Sequence, residues 1–146
     1  MSPIVVSRRI ECPPAVVWDH LADLEGHAEW MGDAERISFV GPSRRGVGTA
    51  MIVRTRVGPF RTDDVLEVIG WEEGSSITVR HGGTVSGVGE LRVDADGQGS
   101  KVTWTETLRF PWWLGGPVAA WFATPVLRRV WRRNLDGFAG ILENES

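Results

Sequence analysis

The chain has 146 residues, 42% hydrophobic and 24% charged, with a formal net charge of −3, the size and mix of one globular domain over 1–146 with a sizeable core. That balance excludes a generally basic nucleic-acid surface, so any anion binding has to be local. A single cysteine, Cys12, excludes an internal disulfide, and the opening MSPIVVSRRIECPP carries no apolar run of signal-peptide length, so a cytoplasmic setting is expected.

Taken in chain order, Ile4 to Glu11 has the β-branched content of a strand. Pro13-Pro14 ends it and presets the first turn of a helix, in which Ala15, Val16, Trp18, Leu21 and Ala22 recur at helical spacing. Gly26 interrupts that helix, and a second short helical piece carries His27, Trp30 and Met31. From Arg36 to Phe110 the hydrophobic period becomes two, in the runs RISFV, TAMIVRTRV, FRTDDVLEVIGW, SITVRH, VSGVGELRVDA and SKVTWTETLRF. GPSRRGVG, VGP, EEGS, HGGT and DADGQGS separate them at hairpin spacing, which predicts a continuous antiparallel meander with no room for parallel crossovers. The alternation leaves open which face of the strand around Val65 to Trp71 turns inward.

Phe110 to Leu127 is a run of eighteen uncharged residues, followed at once by RRVWRRN. Leu127, Val130, Trp131, Phe138, Ile141 and Leu142 fall on one side of a helix and Arg128, Arg129, Arg132, Arg133 and Asp136 on the other. From Pro117 to Leu142 such a helix extends about 39 Å, long enough to cross a sheet of ten-residue strands spanning about 33 Å, with a kink expected at Pro125. Pro111, Pro117, Pro125 and Gly115-Gly116 argue against a membrane span, whose backbone bonds must close internally. A transient, peripheral membrane contact through Trp112, Trp113 and Leu114 beside the four arginines stays open.

The order strand, two short helices, six-stranded meander and long C-terminal helix resembles the α+β helix-grip fold of the SRPBCC superfamily, which takes in START-like, Bet v 1-like and polyketide cyclase/dehydrase proteins. The matching text is PPAVVWDHLADLEGHAEWM, WEEGSSITVRHGGTVSGVGELRV and KVTWTETLRFPWWLGGPVAAWFATPVLRRVWRRNLDGF, essentially the whole chain. The resemblance implies a seven-stranded sheet curled around the long helix with an apolar pocket between them. It also implies that the pocket binds or carries a small hydrophobic molecule, a lipid, polyketide, isoprenoid or aromatic metabolite, as in most members. A minority are enzymes, so a cyclase or dehydrase remains the alternative, and a peripheral membrane or partner-binding protein a third. No cofactor is implied, and a monomer or weak homodimer is expected.

Eight tryptophans and no tyrosine either build a large core or line a cavity for a flat apolar guest. A dry void of roughly 300 Å³ would cost on the order of 7 kcal/mol, so such a cavity is small, wet or occupied. On the cavity reading, Trp30, Met51, Val53, Val79, Val85, Trp104, Phe110, Trp113, Trp121, Phe122 and Val126 form its walls, and Pro111 to Pro117 forms a gate hinged at Gly115-Gly116. Val102, Trp104, Glu106, Leu108 and Phe110 share one strand face, and Ile77, Val79 and His81 another. Glu106 among Trp104 and Leu108 is expensive unless hydrogen-bonded, which makes it the candidate polar anchor or general acid or base. The competing reading leaves it near the sheet edge, solvated or paired with Arg54, Arg56 or Arg109.

His81 is the second candidate proton-transfer group, against a wet hairpin mouth before GG. His27 reads as an ordinary surface residue, with the cavity entrance as the alternative. His20, His27, His81 and Cys12 show no metal-ligand spacing, and Asp63-Asp64 with Glu67, and Glu72-Glu73, read as solvated charge clusters on strand or turn surfaces. RRGVGT lacks the Lys-Ser/Thr of a phosphate loop and no serine sits in a nucleophile elbow, which removes support from nucleotide and acyl-transfer chemistry.

Overall fold

A computed structural model describes residues 3–83 and 85–145, so Thr84 of the HGGT turn lies outside the described residues. Strand β1 (Ile4–Ile10) is followed by helix α1 (Pro14–Leu21), where Pro13, at φ −62° and ψ 151°, is still extended. A 3₁₀ segment, Glu25–Glu29, takes the place of the second short helix and ends before Trp30. Six strands follow: β2 (Ala34–Val40), β3 (Ala50–Val57), β4 (Phe60–Glu72), β5 (Ser76–Gly82), β6 (Ser86–Asp96) and β7 (Gly99–Arg109). The chain closes with a 3₁₀ turn, Trp112–Leu114, and the 30-residue helix α2 (Gly116–Glu145).

The seven strands form one antiparallel sheet in the order β1-β7-β6-β5-β4-β3-β2, so the meander is completed when β1 pairs with the last strand. The pairing of β4 with β5 shifts between Val68 and Gly70, leaving Ile69 as the extra residue of a bulge. Up to that point Thr62, Asp64, Leu66 and Val68 face inward; beyond it Trp71, opposite buried Ile77, takes the inner face. The bulge therefore reverses the phase of the alternation, which is why the sequence left this strand's faces open.

The core lies between α2 and the strands that close the sheet. Trp131, Leu135, Phe138, Ala139 and Leu142 of α2 are buried, and α2 packs on β1 and β7, with Ile4, Val6 and Ile10 of β1 in the same cluster. Helix α1 adds Val17, Trp18 and Leu21. Only the C-terminal half of α2 is anchored this way. In its first half Val118, Trp121, Phe122 and Val126 are exposed. The helix passes through Pro125 without ending; the ring leaves the Trp121 carbonyl without its backbone donor, on a turn open to water.

Candidate ligand cavity

The inner faces of β3, β4, β5 and β7 and the underside of α2 enclose a cavity of about 560 Å³. Strand alternation places Met51, Val53, Thr55 and Val57, then Thr62, Asp64 and Leu66, then Ile77, Val79 and His81, along its wall. Trp104, Glu106 and Leu108 of β7 continue the wall to Phe110, while Leu114, Ala119, Ala123, Val126, Leu127 and Trp131 form the helical side. Closed and dry, 560 Å³ would cost about 13 kcal/mol, comparable to a whole domain's stability, so in solution the space holds water or a guest.

Its polar end centres on Glu106, which is 3% exposed and meets none of the arginines considered for it. The carboxylate can only accept, so His81 Nε2 carries the proton and donates to Oε1 and Oε2, both at 3.0 Å, and Trp104 Nε1 donates to Oε1 at 3.1 Å. Burial opposes a charge on His81. The hydrogen bond and charge of Glu106, aided by Asp64, outweigh it and hold the imidazole pKa above its ordinary value. Gly89 lies opposite Glu106 in the β6–β7 register, and its missing side chain leaves the space that the carboxyl fills.

His27 is buried rather than exposed and lines the cavity. Burial pushes its pKa down, against the Leu21 carbonyl and the Asp23 charge, and because a carbonyl only accepts, Nε2–H donates to Leu21 O at 2.7 Å. Asp33, which the sequence did not single out, also lines the cavity. Burial raises its pKa, partly opposed by Asn134 of α2, whose Nδ2 donates to Asp33 Oδ1 at 2.7 Å while its Oδ1 accepts from Gly32 N at 3.0 Å. The polar lining is thus His27, Asp33, Asp64, His81, Glu90 and Glu106 with Thr55 and Thr62; Asp64 faces the cavity and is not the solvated surface charge that its cluster suggested, and among the described residues no lysine or arginine lines the space.

Met51, Val53, Val79, His81, Val85, Trp104, Glu106, Phe110 and Val126 all lie on this wall. Trp30, Trp113, Trp121 and Phe122 do not. Trp30 is packed into the core against Phe138 (4.8 Å) and edge-on to Trp104 (6.2 Å). Trp113, Trp121 and Phe122 stand on the outer surface, since the helical turns that carry them present Leu114, Ala119 and Ala123 to the cavity instead. Of the eight tryptophans only Trp104 and Trp131, stacked at 5.4 Å, line the space. Trp18 and Trp71 serve a different purpose: both indoles donate to Glu73, at 3.1 and 2.7 Å, and Arg45 closes the cluster, so Glu73 is a tie between α1 and β4 and not a free surface charge. Periodicity marks these aromatic positions as helical or extended but carries no sign of which partner covers each one.

An antiparallel sheet gripping a long helix, with an apolar chamber between them and polar groups around Glu106, defines a helix-grip protein with an internal cavity. The chain belongs to the family described as polyketide cyclase / dehydrase and lipid transport, whose model matches residues 1–146. No curated protein sequence matches it. Among solved structures it is similar to the Zhui aromatase/cyclase from Streptomyces sp. R1128, with a TM-score of 0.77 at 16% identity over 97% of this chain and 93% of that one. It is also similar to TTHA0849 from Thermus thermophilus, at 0.74 and 18% over 98% and 95%, and to Ara h 8.0201, at 0.72 and 12% over 97% of each chain. At these identities the likeness shows the fold alone. Among the described residues, no helix is long and apolar enough to cross a membrane.

Proposed function

We propose that this protein binds or carries a small hydrophobic molecule of the lipid, polyketide, isoprenoid or aromatic class in the cavity between sheet and α2, in the cytoplasm. The observation that carries the reading is an apolar space of about 560 Å³ whose polar groups gather around Glu106 and His81. These two orient the hydroxyl or amine of a guest, and the apolar wall supplies affinity in proportion to the area it covers. Pro111 to Pro117 acts as the gate: Gly115 and Gly116, at φ 100° and 50°, take left-handed backbone that other residues resist, and Leu114 between them and Pro111 touches the cavity. Loading and release through transient membrane contact by a monomer or weak homodimer belong to the same reading. Native mass spectrometry of protein recovered from its source, with thermal shift across a lipophile library, tests it. A retained small molecule or a ligand-induced shift is expected; empty spectra and a flat library refute it.

The half-buried His81 bonded to the buried Glu106 favours one further reading, a cyclase or dehydrase in which the pair moves protons on a bound polyketide-like substrate. Glu106→Gln separates the two. A binder keeps its apolar ligand within about tenfold, the worth of one hydrogen bond, whereas an enzyme loses turnover.

A further inference from the structure

The most exposed apolar surface of the molecule is not the cavity but the outside of its gate. Trp112 is 87% and Trp121 73% exposed, and Trp113, Leu114, Val118, Phe122 and Val126 are exposed beside them. Isolated exposed apolar residues need no explanation, but seven within fifteen consecutive positions form a patch. Its charge surroundings are equally one-sided. Residues 107–135 hold five arginines and no Asp or Glu, in a chain whose net charge is −3. Arg128, Arg129, Arg132 and Arg133 follow Trp121, Phe122, Pro125 and Val126 by seven residues each, two helical turns, and so continue the same stripe of α2. Trp121, Phe122 and all four arginines line one shallow groove with Pro3 and Asp136. Asp136, the carboxylate in that groove, is taken by Arg8 at 3.0 Å, and among the described residues none of the four arginines has an ion-pair partner.

We propose that this face, the Trp112–Leu114 turn and the outer stripe of α2 from Val118 to Arg133, docks on an anionic phospholipid bilayer. The inference deepens the transient membrane contact proposed above and does not require a loaded cavity. The geometry matches the boundary it would meet. With α2 standing steeply on the bilayer, its N-terminal half inward, the seven residues of helix between the aromatic cluster and the arginines offset them in depth by up to about 10 Å, matching the roughly 5–10 Å to which an interfacial apolar face sinks below the headgroups. Aromatic rings then sit among acyl chains while guanidinium groups reach phosphate and carboxylate oxygens. The inner side of the same turns, Leu114, Ala119, Ala123 and Leu127, lines the cavity, so docking sets the gate against the lipid. A second copy of the chain covers the face less well, because its own stripe offers no free carboxylate to the arginines. Nucleic acid fits less well too, because stacking requires aromatics interleaved with the cations, and here they are separated along the helix.

Flotation of the full chain with phosphatidylcholine vesicles, with and without phosphatidylserine, tests the proposal. The protein is expected to float with the serine-lipid vesicles at low salt and to be released as salt is raised. Each Arg→Gln change at 128, 129, 132 or 133 is expected to weaken partitioning about fivefold, and Trp112→Ala with Trp121→Ala to abolish it. These positions are exposed or half-buried, so the variants keep the parent's thermal transition, which a melting curve verifies. Failure to float with either vesicle removes the membrane contact altogether. Equal flotation with both, unmoved by the arginine changes, leaves a membrane contact but overturns the anionic-lipid assignment. A concentration-dependent dimer in sedimentation that Trp121→Ala and Phe122→Ala dissociate, or tight retention on duplex DNA, without flotation, overturns it in favour of those occupants.

Discussion

Replacing Gly89 by alanine puts the Glu106 anchor under a direct steric load. A Cβ there would stand 2.4 Å from Glu106 Oε1 and 2.6 Å from its carboxyl carbon, separations no packed structure holds, so the carboxylate has to move. It cannot move freely, being 3% exposed and held by His81 on both oxygens and by Trp104 on one. A hydrogen bond to a charged group contributes about 1.5–3 kcal/mol, and Gly→Ala in a strand returns roughly 0.5–1 kcal/mol of backbone entropy. The expected destabilisation is therefore about 1–2 kcal/mol if the shifted carboxylate keeps one of its two partners, and about 3–4 kcal/mol if it loses both. Urea unfolding of Gly89→Ala, Glu106→Ala and the double variant forms a cycle. Once Glu106 is trimmed to alanine the three nearest atoms to the added methyl are gone, so its effect should fall to about zero or turn stabilising, with a coupling of at least about 1 kcal/mol. Additivity within about 0.5 kcal/mol would show that the two side chains do not compete for one space, and the anchor geometry would be wrong.

The buried His27 and the half-buried His81 should oppose each other in the pH dependence of stability. His81 has a raised folded pKa, so its contribution is fully present below the unfolded value of about 6.5 and is lost as pH rises through the folded pKa. His27 has a lowered one, so the unfolded chain takes up a proton that the folded chain refuses, and stability is lost as pH falls below about 6.5. Melting temperatures across pH 5–9 should accordingly lose their acid decline in His27→Gln and their alkaline decline in Glu106→Gln; unchanged profiles would refute the assignments. Asn134→Ala removes two hydrogen bonds joining α2 to Gly32 and Asp33 and is expected to destabilise by about 2 kcal/mol in urea. It should also push the Asp33 carboxyl further up, as seen by carboxyl NMR, because the Asn134 bond holds it down. A change below about 0.5 kcal/mol, the scale of an ordinary surface substitution, would count against that clamp.

How far the site could be read in advance depended on the element. The face of β7 was legible because Val102, Trp104, Glu106 and Leu108 alternate without interruption, and a strand with period two leaves only two choices of side. On β4 the same rule failed at Ile69, where the bulge inserts one residue and exchanges inside for outside. Along α2 the apolar residues of the first half surround the helix, so periodicity could not tell Ala119 and Ala123, which face the cavity, from Trp121 and Phe122, which face out. Size misled at two positions there: Trp121 and Phe122 suggested a wall, and on those turns Ala119, Ala123 and Val126 face the space instead. Asp33 and Asn134, 101 residues apart, carry no shared local pattern and become partners only when α2 lies across the start of β2.

Composition, hydrophobic period and turn residues were sufficient for the element order, the antiparallel meander and the one-sided C-terminal half of the long helix. These are local properties, set by backbone sterics and by which side chains avoid water within a few residues. The existence of the chamber, the pairing of His81 with Glu106, the burial of His27 and the exposure of the gate's tryptophans were decided by tertiary structure. Each depends on how a bulged, curved sheet meets a helix tens of residues away, and the volume left between them comes from packing the whole chain, with no single segment's sequence to record it.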